Sequence, residues 1–247
     1  ADTKEEAEQL LGSVRVEVER DGDEWHVKPR LPADCQDRVR VDLKATVRPD
    51  NEVKARSTLG SLTAHDLGAD LELSTKRGGI TVYDCGGDVE VSTVDGKVSL
   101  RDCGGDLEAH SVNGGVELQD CRGDVEARTV NGSIKARDCG GDLELSTVNG
   151  HVAVSDCGGE VEARTVNGSV SINDCGGGIE ASTTNGGVRI KDCAGDLEAS
   201  TVHGEVAVEG EGWSSLDAKS TGGSIKVRVG GEEVPEIEAE THAGGIE

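Results

Sequence analysis

The sequence predicts an all-β chain: a parallel β-solenoid of the β-helix or β-roll type, built from 18-residue coils of two strands each. Three observations predict it. Cys85, Cys103, Cys121, Cys139, Cys157, Cys175 and Cys193 recur every eighteen residues without a slip, and a strict period means stacked, equivalent units. Each period divides into two nine-residue halves with apolar residues at the third and fifth slots, the period-two alternation of a strand. Turn signals close every half, Asn131-Gly132, Asn149-Gly150 and Asn167-Gly168 on one side and Cys-Gly-Gly or a close variant on the other. Asn and Gly tolerate positive φ and so suit sharp corners. Antiparallel hairpins also use Asn-Gly, but a meander has no need to return the same residue to the same slot every second strand.

Composition agrees with a thin, locally buried core. The 247 residues include no Met, no Phe, one Tyr (Tyr83), two Trp (Trp25 and Trp213) and 36 Gly. Small aliphatic side chains and Cys can fill the gap of about 10 Å between two facing sheets, because a solenoid buries its core between adjacent coils. A formal charge of -24 argues against nucleic acid and anionic membrane surfaces as partners, since both select Lys and Arg patches. No stretch is long and apolar enough for a membrane span. Beginning at Ala1 and lacking Met, the chain reads as the product of signal-peptide removal, which places it outside the cell or in the cell envelope.

Taken in order, residues 1–48 read as an N-terminal lead and strand cap and 49–247 as solenoid. Residues 1–12 are a polar helix or flexible lead. Ser13 to Glu19 alternates Val14, Val16 and Val18, turns at Asp21-Gly22-Asp23, and returns through Glu24 to Lys28. Pro29 and Pro32 are expected to end that strand and open a loop holding Cys35, an exposed thiol. Val39 to Val47 alternates again, and Pro49 marks the entry to the coils. A cap here would cover the core and unpaired backbone of the first coil. The nine-residue frame then holds through the regular coils of 51–212, until Trp213 adds one residue and opens the irregular coils of 213–247. The pattern resumes at Leu216 and Ala218, runs through Ile225, Val227 and Val229, loops out at Gly230 to Glu236, and restarts at Ile237. It reaches Glu247 part-way through a half-unit, with no evident cap.

Val41-Asp42-Leu43 leading through Pro49, the Thr-x-Asn-Gly corners such as Thr129 to Gly132 and Thr147 to Gly150, and the closing Thr241-His242-Ala243-Gly244-Gly245-Ile246 together resemble the bacterial adhesin family of β-strand-repeat domains. That class is largely without assigned function. The resemblance runs from about Val14 onward and implies a parallel β-solenoid of the bacterial envelope or exterior, with no catalytic residues to carry over. The seven-membered Cys column departs from it.

Stacking converts slots into columns. The Cys column shares its slot with Val94, Val112, Val130, Val148, Val166 and Val202 in the other half-unit, so it reads as a structural ladder of small buried hydrophobes. The alternatives are disulfides between coils, opposed by in-register Cβ spacing wider than the preferred 3.8 Å or so, and a soft-metal thiolate ladder, for which one thiol per coil cannot supply four converging ligands. An acidic face is formed by Glu72, Glu90, Glu108, Glu126, Glu144, Glu162, Glu180 and Glu198, with Asp70, Asp88, Asp106, Asp124, Asp142, Glu160 and Asp196 two residues before them. Arg128, Arg164 and His110 compensate in part. Like charges at about 4.8 Å repel by about 0.9 kcal/mol even in water, so this face should collect cations, with Ca²⁺ as the candidate ligand. A third column, Asp66 to Asp192, alternates with Thr75 to Thr201 and is expected to accept hydrogen bonds from turn amides. Its Asp-Cys-Gly-Gly-Asp corner is similar in part to the Gly-Gly-x-Gly-x-Asp calcium β-roll, lacking the third Gly and the matching Asp.

No isolated catalytic constellation stands out from the repeats, and six scattered His form none. The expected function is that of an exported, non-enzymatic, adhesin-like structural solenoid that stacks head to tail into a fibre. The alternative is a Ca²⁺-binding cell-envelope module. Expected partners are further copies of the chain or a surface ligand.

Overall fold

A computed structural model of the chain describes residues 15–21, 24–30, 48–231 and 235–247. Two compact units divide between Thr46 and Val47. In the first, strands Arg15–Asp21 and Glu24–Arg30 pair antiparallel, with Asp21 opposite Glu24. The second strand runs through Pro29, which faces Val16, instead of stopping there. Among the described residues this ribbon has two strands, and an edge strand tolerates a missing N–H on its outer side. The expected lead of 1–12, the loop with Cys35 and the strand of 39–47 lie outside the described residues.

The second unit is the parallel β-solenoid, of about ten coils. From Val53–Leu59 to Glu236–Thr241 successive strands alternate between an 11-stranded sheet and a 10-stranded sheet. Within each sheet all neighbours are parallel. Through the regular coils they are in register at a separation of eighteen residues; Glu126, for example, lies between Glu108 and Glu144. Consecutive strands therefore face one another across the core, and no helix occurs among the described residues. None is available to cross a membrane. The core is a set of stacked columns such as Ile80, Val98, Val116, Ile134 and Val152, all at 0 % exposure.

The two corners differ, and the difference corrects three expectations. Positive φ among non-glycine residues falls on the Asp column, Asp66 to Asp192, at φ 50 to 58, while Asn131, Asn149 and Asn167 end extended strands. Asp is one of the few side chains that tolerates the left-handed region. Its kink changes the phase of the alternation. The following Cys turns inward, at 0 to 3 % exposure, whereas Val94, Val112, Val130, Val148, Val166 and Val202 stand outside at 39 to 42 %. The Cys and Val slots are thus not equivalent. In the Val half the preceding Thr is the buried residue, and its hydroxyl donates to a glycine carbonyl instead of accepting from a turn amide: Thr147 Oγ1 reaches Gly132 O at 2.8 Å and Thr165 reaches Gly150 O at 2.9 Å.

Glycine at the Asn corner is demanded by close stacking. A Cβ on Gly132 would lie 2.2 Å from the carbonyl oxygen of Gly114 in the preceding coil. The first glycine of Cys-Gly-Gly is under no such demand: a Cβ on Gly140 would find its nearest neighbour at 3.7 Å, and Arg122 and Ala194 fill the same slot in other coils. Beyond the regular coils, the extra residue is absorbed as a bulge, with Gly195 opposite Trp213 but Asp196 opposite Ser215. Trp213 is buried there. Ile246 bridges to Ile225, and Glu247 exchanges backbone hydrogen bonds of 2.9 and 3.0 Å with Val227 and Ile225.

Candidate functional site

Parallel in-register pairing turns the repeated Asp and Glu into one continuous acidic groove on the 11-stranded sheet. The groove has a volume of about 670 Å³ and is lined from Glu52 and Asp70 to Glu160 and Glu162. Glu72, Glu90, Glu108, Glu126, Glu144, Glu162, Glu180 and Glu198 follow one another at matched positions on adjacent strands. The Asp residues beside them serve the backbone. Asp70, Asp88, Asp106 and Asp124 each accept, through Oδ1, the amide of the next coil's Asp at 2.9 to 3.1 Å, and Asp142 accepts that of Glu160 at 2.8 Å. One oxygen of each carboxylate is thereby fixed.

Cations interrupt the Glu column at intervals. Arg128 pairs with Glu126 and reaches Glu144 at 2.7 Å, and Arg164 pairs with Glu162 and reaches Glu180 at 2.6 Å. Sequence reasoning missed Lys54 and Arg56, which close the first-coil end of the column by meeting Glu72 at 3.8 and 2.7 Å. The Arg56 guanidinium holds the Glu72 carboxyl below its ordinary value through this hydrogen bond. His110 Nε2 lies 2.8 Å from Glu108 and 4.0 Å from Glu126. These three can present ligand atoms within 4.8 Å of one another, although Arg128 competes for Glu126.

Two further ladders climb the solenoid. Asn113, Asn131, Asn149, Asn167 and Asn185 form an external amide ladder, each Nδ2 donating to the side chain one coil earlier at 2.8 to 2.9 Å. The signal for it was present as Asn at one slot every eighteen residues, but it was read through the tolerance of Asn for positive φ at a sharp corner. Inside, the seven column thiols are free and buried. Side-chain hydrogen bonding between neighbours pushes the thiols of Cys121 and Cys175 up and those of Cys103 and Cys193 down. In the geometry, each thiol donates to the carbonyl two residues before it, at 3.1 to 3.7 Å. Cys35 is outside the described residues.

The Toastrack DUF4097 family model matches residues 42–247, every coil of the solenoid. The chain belongs to the Toastrack DUF4097 family. No curated protein and no solved structure matches it. Toastrack is a repeat-type domain of unassigned function, so membership supports a structural repeat protein and transfers no substrate or catalytic residue. The Toastrack solenoid of this chain has its opposite, 10-stranded face irregular: Lys135 stands one coil beyond Glu117, and Arg101 and Arg137 line the same groove of about 370 Å³. Lys97 reaches Glu117 at 2.6 Å and holds its carboxyl low.

Proposed function

We propose that this Toastrack chain is an exported, non-enzymatic structural module whose rigid acidic rod adds head to tail onto further copies of itself and serves adhesion or assembly. The observation that carries the reading is a charge match between the two outermost strands of the 11-stranded sheet among the described residues. At one edge, Val53–Leu59 places Val53 and Ala55 inward and Lys54 and Arg56 outward. At the other, Glu236–Thr241 carries Ile237, Ala239, Glu238 and Glu240 in those same four slots. Laid together as one more parallel pair, the edges of two copies set Glu238 beside Lys54, Glu240 beside Arg56, and Ile237 against Val53. An edge strand is a template for a further strand, and a heterologous contact of this kind generates open fibres. A stack of matched columns also lacks the single convergence of nucleophile, base and oxyanion donors that an enzyme site requires.

Negative-stain electron microscopy tests it. Filaments of uniform width that disappear in the Glu238→Lys/Glu240→Lys variant, and return when that variant is mixed with Lys54→Glu/Arg56→Glu protein, are expected. Single rods at every concentration would overturn the assembly reading.

A second reading, a Ca²⁺-binding envelope module, is favoured by the groove's fixed Asp carboxylates, since Ca²⁺ takes several oxygen ligands from carboxylates. A ligand bound only by the folded state raises the melting transition. An unchanged transition at millimolar Ca²⁺ would remove this reading.

A further inference from the structure

Register separates the charges of this chain by face. On the 11-stranded sheet a Glu holds the same slot in coil after coil, and the arginines beside that column, Arg56, Arg128 and Arg164, each meet a Glu at 2.6 to 2.7 Å. The 10-stranded sheet is built differently. There the column Arg101, Gln119, Arg137, Ser155, Asn173 and Lys191 passes through six coils without a carboxylate. Every member carries a hydrogen-bond donor, and three are cations. Lys135 adds a cation two residues before Arg137 on the same strand. Lys97 takes Glu117, the one carboxylate that lines the groove here, and Lys191 pairs with Asp192 at 3.2 Å. Among the described residues Arg101, Lys135 and Arg137 form no ion pair at all. The groove of about 370 Å³ follows this column from Arg101 to Asn173.

We infer that this groove binds a linear acidic glycan laid along the stack, Arg101 and Arg137 meeting its acid groups and Gln119, Ser155 and Asn173 its hydroxyls. The planar guanidinium fork matches an oxyanion with two parallel bonds. Amide and hydroxyl side chains both donate and accept, as sugar hydroxyls do. Charge density selects a sparsely charged chain over other polyanions. Arg101 and Arg137 stand two coils apart, about 10 Å, and Lys191 three coils further, whereas duplex DNA carries one charge per about 1.7 Å. No aromatic side chain lines the groove for a base to stack on. The acidic face of a second copy repeats its Glu at every coil, about 4.8 Å, which is also too dense. Exposed Asp102, Asp120, Asp138 and Asp156 follow the column by one residue; they repel a dense polyanion and offer acceptors to hydroxyls. The inference rests on the adhesion part of the function proposed above and needs no head-to-tail assembly.

The test measures binding of the full chain, and of the Glu238→Lys/Glu240→Lys variant, to immobilised polygalacturonate, dextran sulfate, neutral dextran, single-stranded DNA and polyglutamate at physiological salt. Both chains should bind polygalacturonate, dextran sulfate or both, which identifies the acid group as carboxylate or sulfate, and should bind neutral dextran at least about tenfold more weakly. Arg101→Gln/Arg137→Gln should lose about tenfold or more in affinity, the loss expected for charge-assisted hydrogen bonds. It installs the residue the column already holds at Gln119, and circular dichroism checks the fold; if the pair does not fold, Arg137→Gln alone should show the loss. Arg128→Gln, on the opposite sheet, should bind as the parent does. Binding to neither acidic glycan would overturn the proposal, and filaments still formed by the parent would then leave the assembly reading standing. Equal binding to DNA or polyglutamate, or an equal loss in Arg128→Gln, would overturn it as well.

Discussion

Gly132→Ala should damage the fold far more than Gly140→Ala, although both sit at corners nine residues or fewer apart. The added Cβ at 132 would lie 2.2 Å from Gly114 O and 2.5 Å from Gly114 C. Relief requires the coils to part by about 1 Å, and overpacking of that kind costs about 1–3 kcal/mol. Gly114 O also accepts the hydroxyl of Thr129 at 2.8 Å, and loss of that bond adds about 1 kcal/mol. The total is about 2–4 kcal/mol. At position 140 the new methyl meets its nearest atom, Arg122 O, at an ordinary 3.7 Å, so reduced freedom in the unfolded chain should leave stability unchanged or raised by about 0.4–1 kcal/mol. Urea denaturation followed by far-UV circular dichroism measures both. With a slope of about 2–3 kcal/mol per molar, the two midpoints should differ by about 1 M or more. Coincident midpoints would refute the claim that carbonyl-to-Cβ approach between coils fixes the glycine ladder of the Asn corner.

Other outcomes follow from the same stack. Thr147→Val removes the donor to Gly132 O and should cost about 1 kcal/mol, while Thr147→Ser should cost less, since Ser111 and Ser220 make the equivalent bond; denaturation midpoints read this. Asp156, at φ 58, should lose about 1–2 kcal/mol as Ala and almost nothing as Asn or Gly, by the same assay. For pH, Arg56 lowers the folded-state value of Glu72 below 4.5. The interaction is therefore fully present above that value and lost as pH falls through the depressed one. A carboxyl-carbon NMR titration should place the Glu72 midpoint below 4.5, and Arg56→Gln should raise it.

The period was legible in the sequence because its strictest markers recur without a slip: Cys, buried after the left-handed Asp corner, and the Asn-corner Gly, held by the close approach of the preceding coil's carbonyl. Stacked strands, the Glu column and the bulge-forming insertion at Trp213 could all be read from spacing. What escaped depends on backbone handedness. Treating both half-units as equivalent put Val94 to Val202 in the core, because nothing in a period-two pattern announces that Asp66 to Asp192 adopt φ near 55 and shift the phase by one residue. Asn131 and its relatives were read through their tolerance of positive φ, and their amide ladder appears only when coils are set in register. The pairing of Lys54 and Arg56 with Glu72, sixteen to eighteen residues away, likewise needs the register. So does the match of Lys54 and Arg56 to Glu238 and Glu240 at the far edge.

The acidic groove and the match between the outermost strands both rest on eighteen residues advancing the chain by one strand spacing without interruption. Spin-label distances along the exposed Val stripe measure that advance directly. In a Cys35→Ser chain, labels at Val94→Cys with Val166→Cys span four coils, and Val94→Cys with Val202→Cys span six. The buried column thiols should stay unlabelled, giving two labels per chain. Double electron–electron resonance should return separations near about 19 Å and about 29 Å, rising in proportion to coil number. Separations that fail to grow with coil number, or reactive thiols throughout the Cys column, would contradict the stacked solenoid and with it both the acidic groove and the match between its two outermost strands.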